Sequence, residues 1–188
     1  MNLILERQIY KLIRHNRKIK ILNFINRLLK IENFNKIDDN LYLGNCISIK
    51  NNNDFIKKYN ICAIVNCTGD IPFPDNFDIK NTLRLSIEDS REDYNLKKIE
   101  EEIEYVLEFI NKYTSKNENV YVHCFWGLMR SATIISLYLI KKYSISYIES
   151  NKIINNIRPY SLNNYYNFND ILEKYEKNIK YKIKNDLN

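Results

Sequence analysis

The stretch His123-Cys124-Phe125-Trp126-Gly127-Leu128-Met129-Arg130-Ser131 restricts the possible folds of this chain more than any other. It places a cysteine at the end of an apolar run and an arginine six positions on, with helix-forming sequence directly behind. Residues 119–123, Asn-Val-Tyr-Val-His, are β-branched and aromatic and suit a buried strand. Residues 131–143 carry apolar side chains at helical spacing. The connecting loop therefore stands at a helix N-terminus, where free backbone N–H groups and the positive end of the helix dipole converge on an anion. Gly127 lets the backbone bend closely around that anion. The Cys-x5-Arg spacing alone arises readily by chance; His123, Gly127 and Ser131 around it make the pattern specific.

The chemistry follows from the residue types. The helix terminus and the Arg130 guanidinium are expected to lower the Cys124 thiol from about 8.5 into the range of roughly 3.5 to 7.5, which supplies a thiolate at neutral pH. Arg130 offers a planar fork that grips two phosphate oxygens. The loop residues Phe125, Trp126, Gly127, Leu128 and Met129 complete the substrate-binding turn. A thiolate and a phosphate cradle in one loop imply attack on phosphorus and a cysteinyl-phosphate intermediate that water hydrolyses. The leaving oxygen needs a proton from another loop. Leu83, Leu85 and Ile87 alternate as in a strand, and the chain turns polar at Glu88-Asp89. Asp89 is assigned as the general acid, with Glu88 as its competitor and a turn or helix-cap role as the structural alternative. Ser131 can donate to the sulfur and help the thiolate leave in the second step. The scheme needs neither cofactor nor metal, and Cys46, Cys62, Cys67 and Cys124 lack metal-ligand clustering.

The loop 123–131 and the turn Ile87-Glu88-Asp89-Ser90 resemble the cysteine-based dual-specificity protein phosphatases. The likeness covers about residues 37–177, through Asn40-Leu41-Tyr42-Leu43-Gly44, the strand-like 59–68, Arg158-Pro159, Phe168 and Tyr175-Glu176. It implies an α/β fold with a central, mainly parallel sheet of four to five strands flanked by helices. It also implies hydrolysis of phosphotyrosine and phosphoserine/threonine in a phosphorylated protein substrate. The family's nucleophile falls on Cys124, its phosphate arginine on Arg130, its hydroxyl on Ser131 and its general acid on Asp89. Cys67 is similar to the partner cysteine with which some members form a protective disulfide, and a small buried apolar thiol is the structural alternative.

Two positions depart from the family. Trp126 stands where members carry a small residue, and Asn164-Tyr165 where they carry Pro-Asn. A tryptophan there either walls the pocket or stacks on a substrate ring. Related RNA 5'-triphosphatases place His and Asn inside the loop, and phosphoinositide enzymes place lysines there. Trp126 and Met129, with Phe125 and Leu128, match neither pattern. A phosphate-binding pseudophosphatase would lack the nucleophile or the arginine, and both are present. The smaller poxvirus phosphatases, of similar length, precede this domain with a short helical segment that pairs subunits.

A net charge of +6 suggests nucleic acid until it is located. Residues 1–31 hold eight Lys/Arg and one Glu, so the remainder is nearly neutral and no nucleic-acid partner is expected. Apolar and basic residues alternate in that stretch as in one or two basic amphipathic helices. Packing on the domain, a homodimer-forming arm and a membrane-surface or phosphosubstrate-facing patch all remain open. The expected organisation is a helical extension 1–36, a catalytic domain 37–180 and a basic tail 181–188 that frays. Scaffold helices are expected over 48–59, 96–116, 146–157 and 165–180, the third capped by Ser146 and stopped before Pro159. No apolar run approaches the roughly 18 residues of a membrane span, and charges interrupt any signal-peptide pattern. The cysteines read as reduced thiols, so a cytoplasmic location is expected, in the host cytoplasm or virion if the chain is viral.

Overall fold

The computed structural model describes residues 3–50, 54–73, 81–88, 93–162 and 168–186. The chain divides into two compact units, Met1–Glu32 and Asn33–Asn188. The first holds one helix, α1 (Leu3–Leu29). Lys30 ends it in the left-handed region at φ 55, where the Ile31 N–H reaches the Asn26 carbonyl at 2.8 Å and the Lys30 N–H reaches that of Arg27. Lysine here takes the place that glycine usually fills in this closing motif. Of the one or two helices expected here, the structure has one continuous helix.

The second unit is built on a five-stranded sheet in the order β1-β2-β5-β3-β4. The strands are β1 (Phe34–Asp38), β2 (Leu41–Asn45), β3 (Ile61–Asn66), β4 (Thr82–Arg84) and β5 (Asn119–Cys124). β1 and β2 are antiparallel, and every other neighbouring pair is parallel. The unit begins at Asn33 rather than at 37 because β1 forms a ladder with β2. β5 lies between two parallel neighbours, and Val120 to Cys124 are buried, as expected of a strand covered on both faces.

Alternating side chains feed two cores. Leu41, Leu43, Ala63, Val65, Val120 and Val122 face the larger one, which the helices α4 (Asp93–Thr114), α5 (Arg130–Tyr143), α6 (Tyr147–Ile157) and α7 (Phe168–Asp186) complete. Tyr42, Ile64 and Tyr121 point the other way onto Ile49 of α2 (Ile47–Lys50) and Phe55 of α3 (Asp54–Lys58). In α4, Ile99, Ile103, Val106, Leu107 and Ile110 form one apolar stripe. α5 is buried all round from Arg130 to Ile140, so it is the central helix of the larger core.

Several boundaries differ from expectation. The helix expected over 48–59 is two short helices, α2 and α3. α6 begins as expected, with Ser146 accepting from the Glu149 N–H and Glu149 accepting from the Ser146 N–H, a reciprocal cap. α7 does not stop at 180 but continues to Asp186, through the segment expected to fray. Before that point it carries two ion pairs at helical spacing, Glu173 with Lys177 and Glu176 with Lys180. No described helix is long and apolar enough to cross a membrane.

Candidate active site

Three parallel strands deliver the loop. In register, Asn45 of β2 lies beside Cys124 and Asn66 of β3 beside His123, so the carboxyl ends of β2, β5 and β3 come together under residues 124–130. Ligands of such sheets bind at this edge. Gly127, at φ 72, rests against β2, and a Cβ there would stand on the Gly44 carbonyl and the Asn45 nitrogen. Only glycine satisfies both the backbone angle and the close approach.

The loop carbonyls are held on its outer side. Phe125 O accepts from the Cys46 N–H at 3.3 Å, and Leu128 O from the Leu162 N–H at 2.9 Å. Trp126 O accepts from Arg158 Nη2 at 3.2 Å and Gly127 O from Arg158 Nε at 2.7 Å. Met129 O accepts from the Thr133 N–H and Thr133 Oγ1. No peptide bond here is cis, and in a trans peptide the N–H points opposite to the carbonyl. A carbonyl held from outside therefore turns the N–H of its own peptide the other way, and in the Trp126–Gly127 peptide that N–H meets Cys124. The Gly127 N–H donates to Cys124 Sγ at 3.2 Å, and Ser131 Oγ donates to the same sulfur at 3.3 Å. The result is a thiol that accepts from a backbone and a side-chain donor at the N-terminus of α5. Such an arrangement binds a tetrahedral oxyanion.

Residues 41–178 match the family model described as "Dual specificity phosphatase, catalytic domain". The chain belongs to the dual specificity phosphatase family. Human dual specificity protein phosphatase 16 is 32% identical over 145 residues, which are 77% of this chain and 21% of that protein, so the chain spans about a fifth of that relative's length. Dual specificity protein phosphatase 1B of Arabidopsis thaliana is 28% identical over 150 residues, covering 79% of this chain and 84% of that protein. The crystal structure of human DUSP28 shares the fold, with a TM-score of 0.70 at 19% identity over 79% of this chain and 96% of that chain.

Within this dual specificity phosphatase domain, the structure brings Cys124, Arg130 and Ser131 together. Arg130 Nη1 donates to the Ile87 carbonyl at 3.0 Å, which ties the phosphate arginine to the segment that leads to the expected acid. Asp89 lies outside the described residues, as do Ser90, Asn164 and Tyr165. Glu88 is described, and it is exposed. The strand expected through Ile87 is shorter: β4 ends at Arg84. Leu85 still donates to Asn66 O, but the Ile87 N–H turns back to Leu85 O at 2.9 Å and leaves the ladder.

The loop side chains divide in a way the sequence does not reveal. Phe125 and Met129 are buried, Met129 in the larger core, so they reach the cradle through their backbone only. Trp126 and Leu128 are partly exposed, and the Trp126 ring stands edge-on to Phe125 at 5.6 Å. His123 is fully buried, stacked on Tyr121, with Nδ1 3.3 Å from the Cys124 carbonyl. A carbonyl only accepts, so that contact places the proton on Nδ1. Burial, with the charges of Arg84 and Arg130 adding to it, lowers the His123 pKa to about 4, so the ring is neutral. Cys67 follows β3, and its N–H donates to His123 O at 2.8 Å, beside Cys124. Burial pushes its thiol well up, and charge on Cys124 raises it further while Arg130 opposes. Among the described residues no His, Cys, Asp or Glu group could hold a metal.

Sequence reasoning missed the outer supports, above all Arg158 and Leu162. In the sequence Arg158 figures only in the family likeness and as a helix end before proline. Its full burial is the signal, and burial is visible only in the fold.

Proposed function

We propose that this chain is a cysteine-dependent phosphoprotein phosphatase acting on phosphotyrosine and phosphoserine/threonine monoesters. The observation that carries the proposal is Cys124 Sγ at the N-terminus of α5 with Ser131 Oγ and Gly127 N as its donors. In the first step the thiolate attacks phosphorus. The S–P bond forms as the P–O bond to the leaving group breaks, and Asp89 protonates the departing oxygen. Arg130 and the loop N–H groups hold the equatorial oxygens, whose charge grows in the transition state. In the second step water attacks phosphorus, gives its proton to the Asp89 carboxylate, and the Cys124 thiolate leaves with Ser131 donating to it. The absence of lysine in 125–129 and the partly exposed Trp126 favour a phosphoprotein over a polyphosphorylated lipid headgroup.

The test is metal-free turnover of four substrates: a phosphotyrosine peptide, a phosphothreonine peptide, a phosphoinositide and a 5'-triphosphate RNA. Release of phosphate from the peptides, lost in Cys124→Ser, is the expected result. Full activity in Cys124→Ser, or activity only with added metal, contradicts the thiolate mechanism.

The same site carries a redox reading for Cys67. Peroxide converts the Cys124 thiolate to a sulfenic acid with loss of hydroxide. The neighbouring Cys67 thiol attacks that sulfur, water leaves and a disulfide forms, which a thiol reductant returns to two thiols.

A further inference from the structure

Behind the loop lies a cation that takes no part in the steps above. Arg158 follows α6 and is 0% exposed. Its Nε holds the Gly127 carbonyl at 2.7 Å, its Nη2 the Trp126 carbonyl at 3.2 Å and its Nη1 the Asn35 Oδ1 of β1 at 2.7 Å. The planar guanidinium thus bridges two successive peptides of the loop and anchors them to the edge strand. The first of these peptides carries the Gly127 N–H, the one that donates to Cys124 Sγ at 3.2 Å. The second carries the Leu128 N–H. A trans peptide is rigid, so fixing its oxygen also aims its hydrogen.

We propose that Arg158 is a positioning residue for catalysis, which orients the Trp126–Gly127 and Gly127–Leu128 peptides so that their N–H groups serve the Cys124 thiolate and the bound phosphate. The fork matters as well as the charge. A lysine delivers one strongly hydrated ammonium and cannot hold two carbonyls at fixed separation with a third arm on Asn35. The segment that presents Arg158 is itself tightly set, with Tyr160 at φ 67 and Leu162 at φ 52, and Leu162 holds the next carbonyl of the loop, that of Leu128. One short connection after α6 therefore fixes three consecutive loop carbonyls, a role the sequence motif around Cys124 does not contain.

The inference rests on the thiolate reading of the site, and two readouts separate them. The first is kcat and KM for p-nitrophenyl phosphate. The second is the pH midpoint for alkylation of Cys124 by iodoacetamide, followed on the Cys124 peptide because three other cysteines are present. Among the described residues, the titratable and charged groups around Cys124 include Cys67 after β3, Tyr121 and His123 in β5 and Arg130 at the start of α5, with Asp89 expected from outside them, and the variants alter none of these. In Arg158→Lys, kcat is expected to fall by up to about a hundredfold, the cost of a small misplacement of catalytic groups. KM should change less, and the alkylation midpoint should move to higher pH. Asn35→Ala, which releases only the third arm, should shift both readouts in the same direction by less. A folded Arg158→Lys with wild-type kcat and wild-type alkylation midpoint overturns the proposal. If that variant does not fold, Asn35→Ala decides, and no change in either readout overturns it. A shifted midpoint in a protein whose wild type cleaves no phosphate ester would sink the phosphatase reading and leave the positioning role standing.

Discussion

Ser131 Oγ donates to Cys124 Sγ at 3.3 Å from the first turn of the helix that follows the loop. The bond strengthens as negative charge returns to sulfur, which happens when the phosphoryl group leaves for water. Ser131→Ala is therefore expected to slow breakdown of the cysteinyl-phosphate, lowering kcat on the order of 10²-fold, as for loss of one preorganised donor. Rapid mixing with p-nitrophenyl phosphate should then show a burst of nitrophenol close to one per enzyme. A linear trace with unchanged kcat would remove Ser131 from the second step.

The acid is assigned on chemistry and on the polar sequence that follows Ile87. Asp89→Asn should reduce kcat for an alkyl phosphate by about 10² to 10⁴-fold, the range of a positioned general acid. Phosphoserine peptides should suffer more than p-nitrophenyl phosphate, whose leaving group hardly needs a proton. Glu88 is exposed, and Glu88→Gln should leave kcat unchanged. The reverse pattern would move the acid by one residue.

Cys67 stands beside Cys124 with its thiol held protonated by burial. Peroxide should inactivate the wild type in a form that dithiothreitol restores, and intact mass should fall by about two hydrogens. Cys67→Ser should pass instead to irreversible sulfinic acid. Equal recovery in both proteins would leave Cys67 as a packing residue.

His123 links the site to stability. Its folded value of about 4 lies below the ordinary 6.5, so between these limits the unfolded chain binds the extra proton. Stability from this group is complete above about 6.5 and is lost as pH falls toward 4, by on the order of 3 kcal/mol in all. The thermal midpoint of His123→Asn should accordingly depend less on pH than that of the wild type between pH 6.5 and 4. Parallel curves would refute a neutral buried ring.

Local patterns made some of this visible in the chain alone. The β-branched run before Cys124, the helical spacing after Arg130 and the Ser146–Glu149 cap depend on neighbours a few residues apart, and each forms as expected. Periodicity was less reliable for lengths. Leu83, Leu85 and Ile87 alternate beyond the end of β4 because burial outlasts the ladder, and α7 runs on to Asp186, past the residue 180 that the sequence suggests.

By itself the sequence pointed to the proposed reacting set, Cys124, Arg130 and Ser131, because a helix turn brings residues so close in the chain to one place. Tertiary structure alone decided what aims that set. The carbonyl of Phe125 is held by Cys46, those of Trp126 and Gly127 by Arg158, and that of Leu128 by Leu162. Position 127 admits only glycine because the Gly44–Asn45 backbone of β2 lies against it. These partners are about 30 to 80 residues away, and a hydrogen bond to a backbone carbonyl asks for a donor without specifying a side chain, so no local pattern records it.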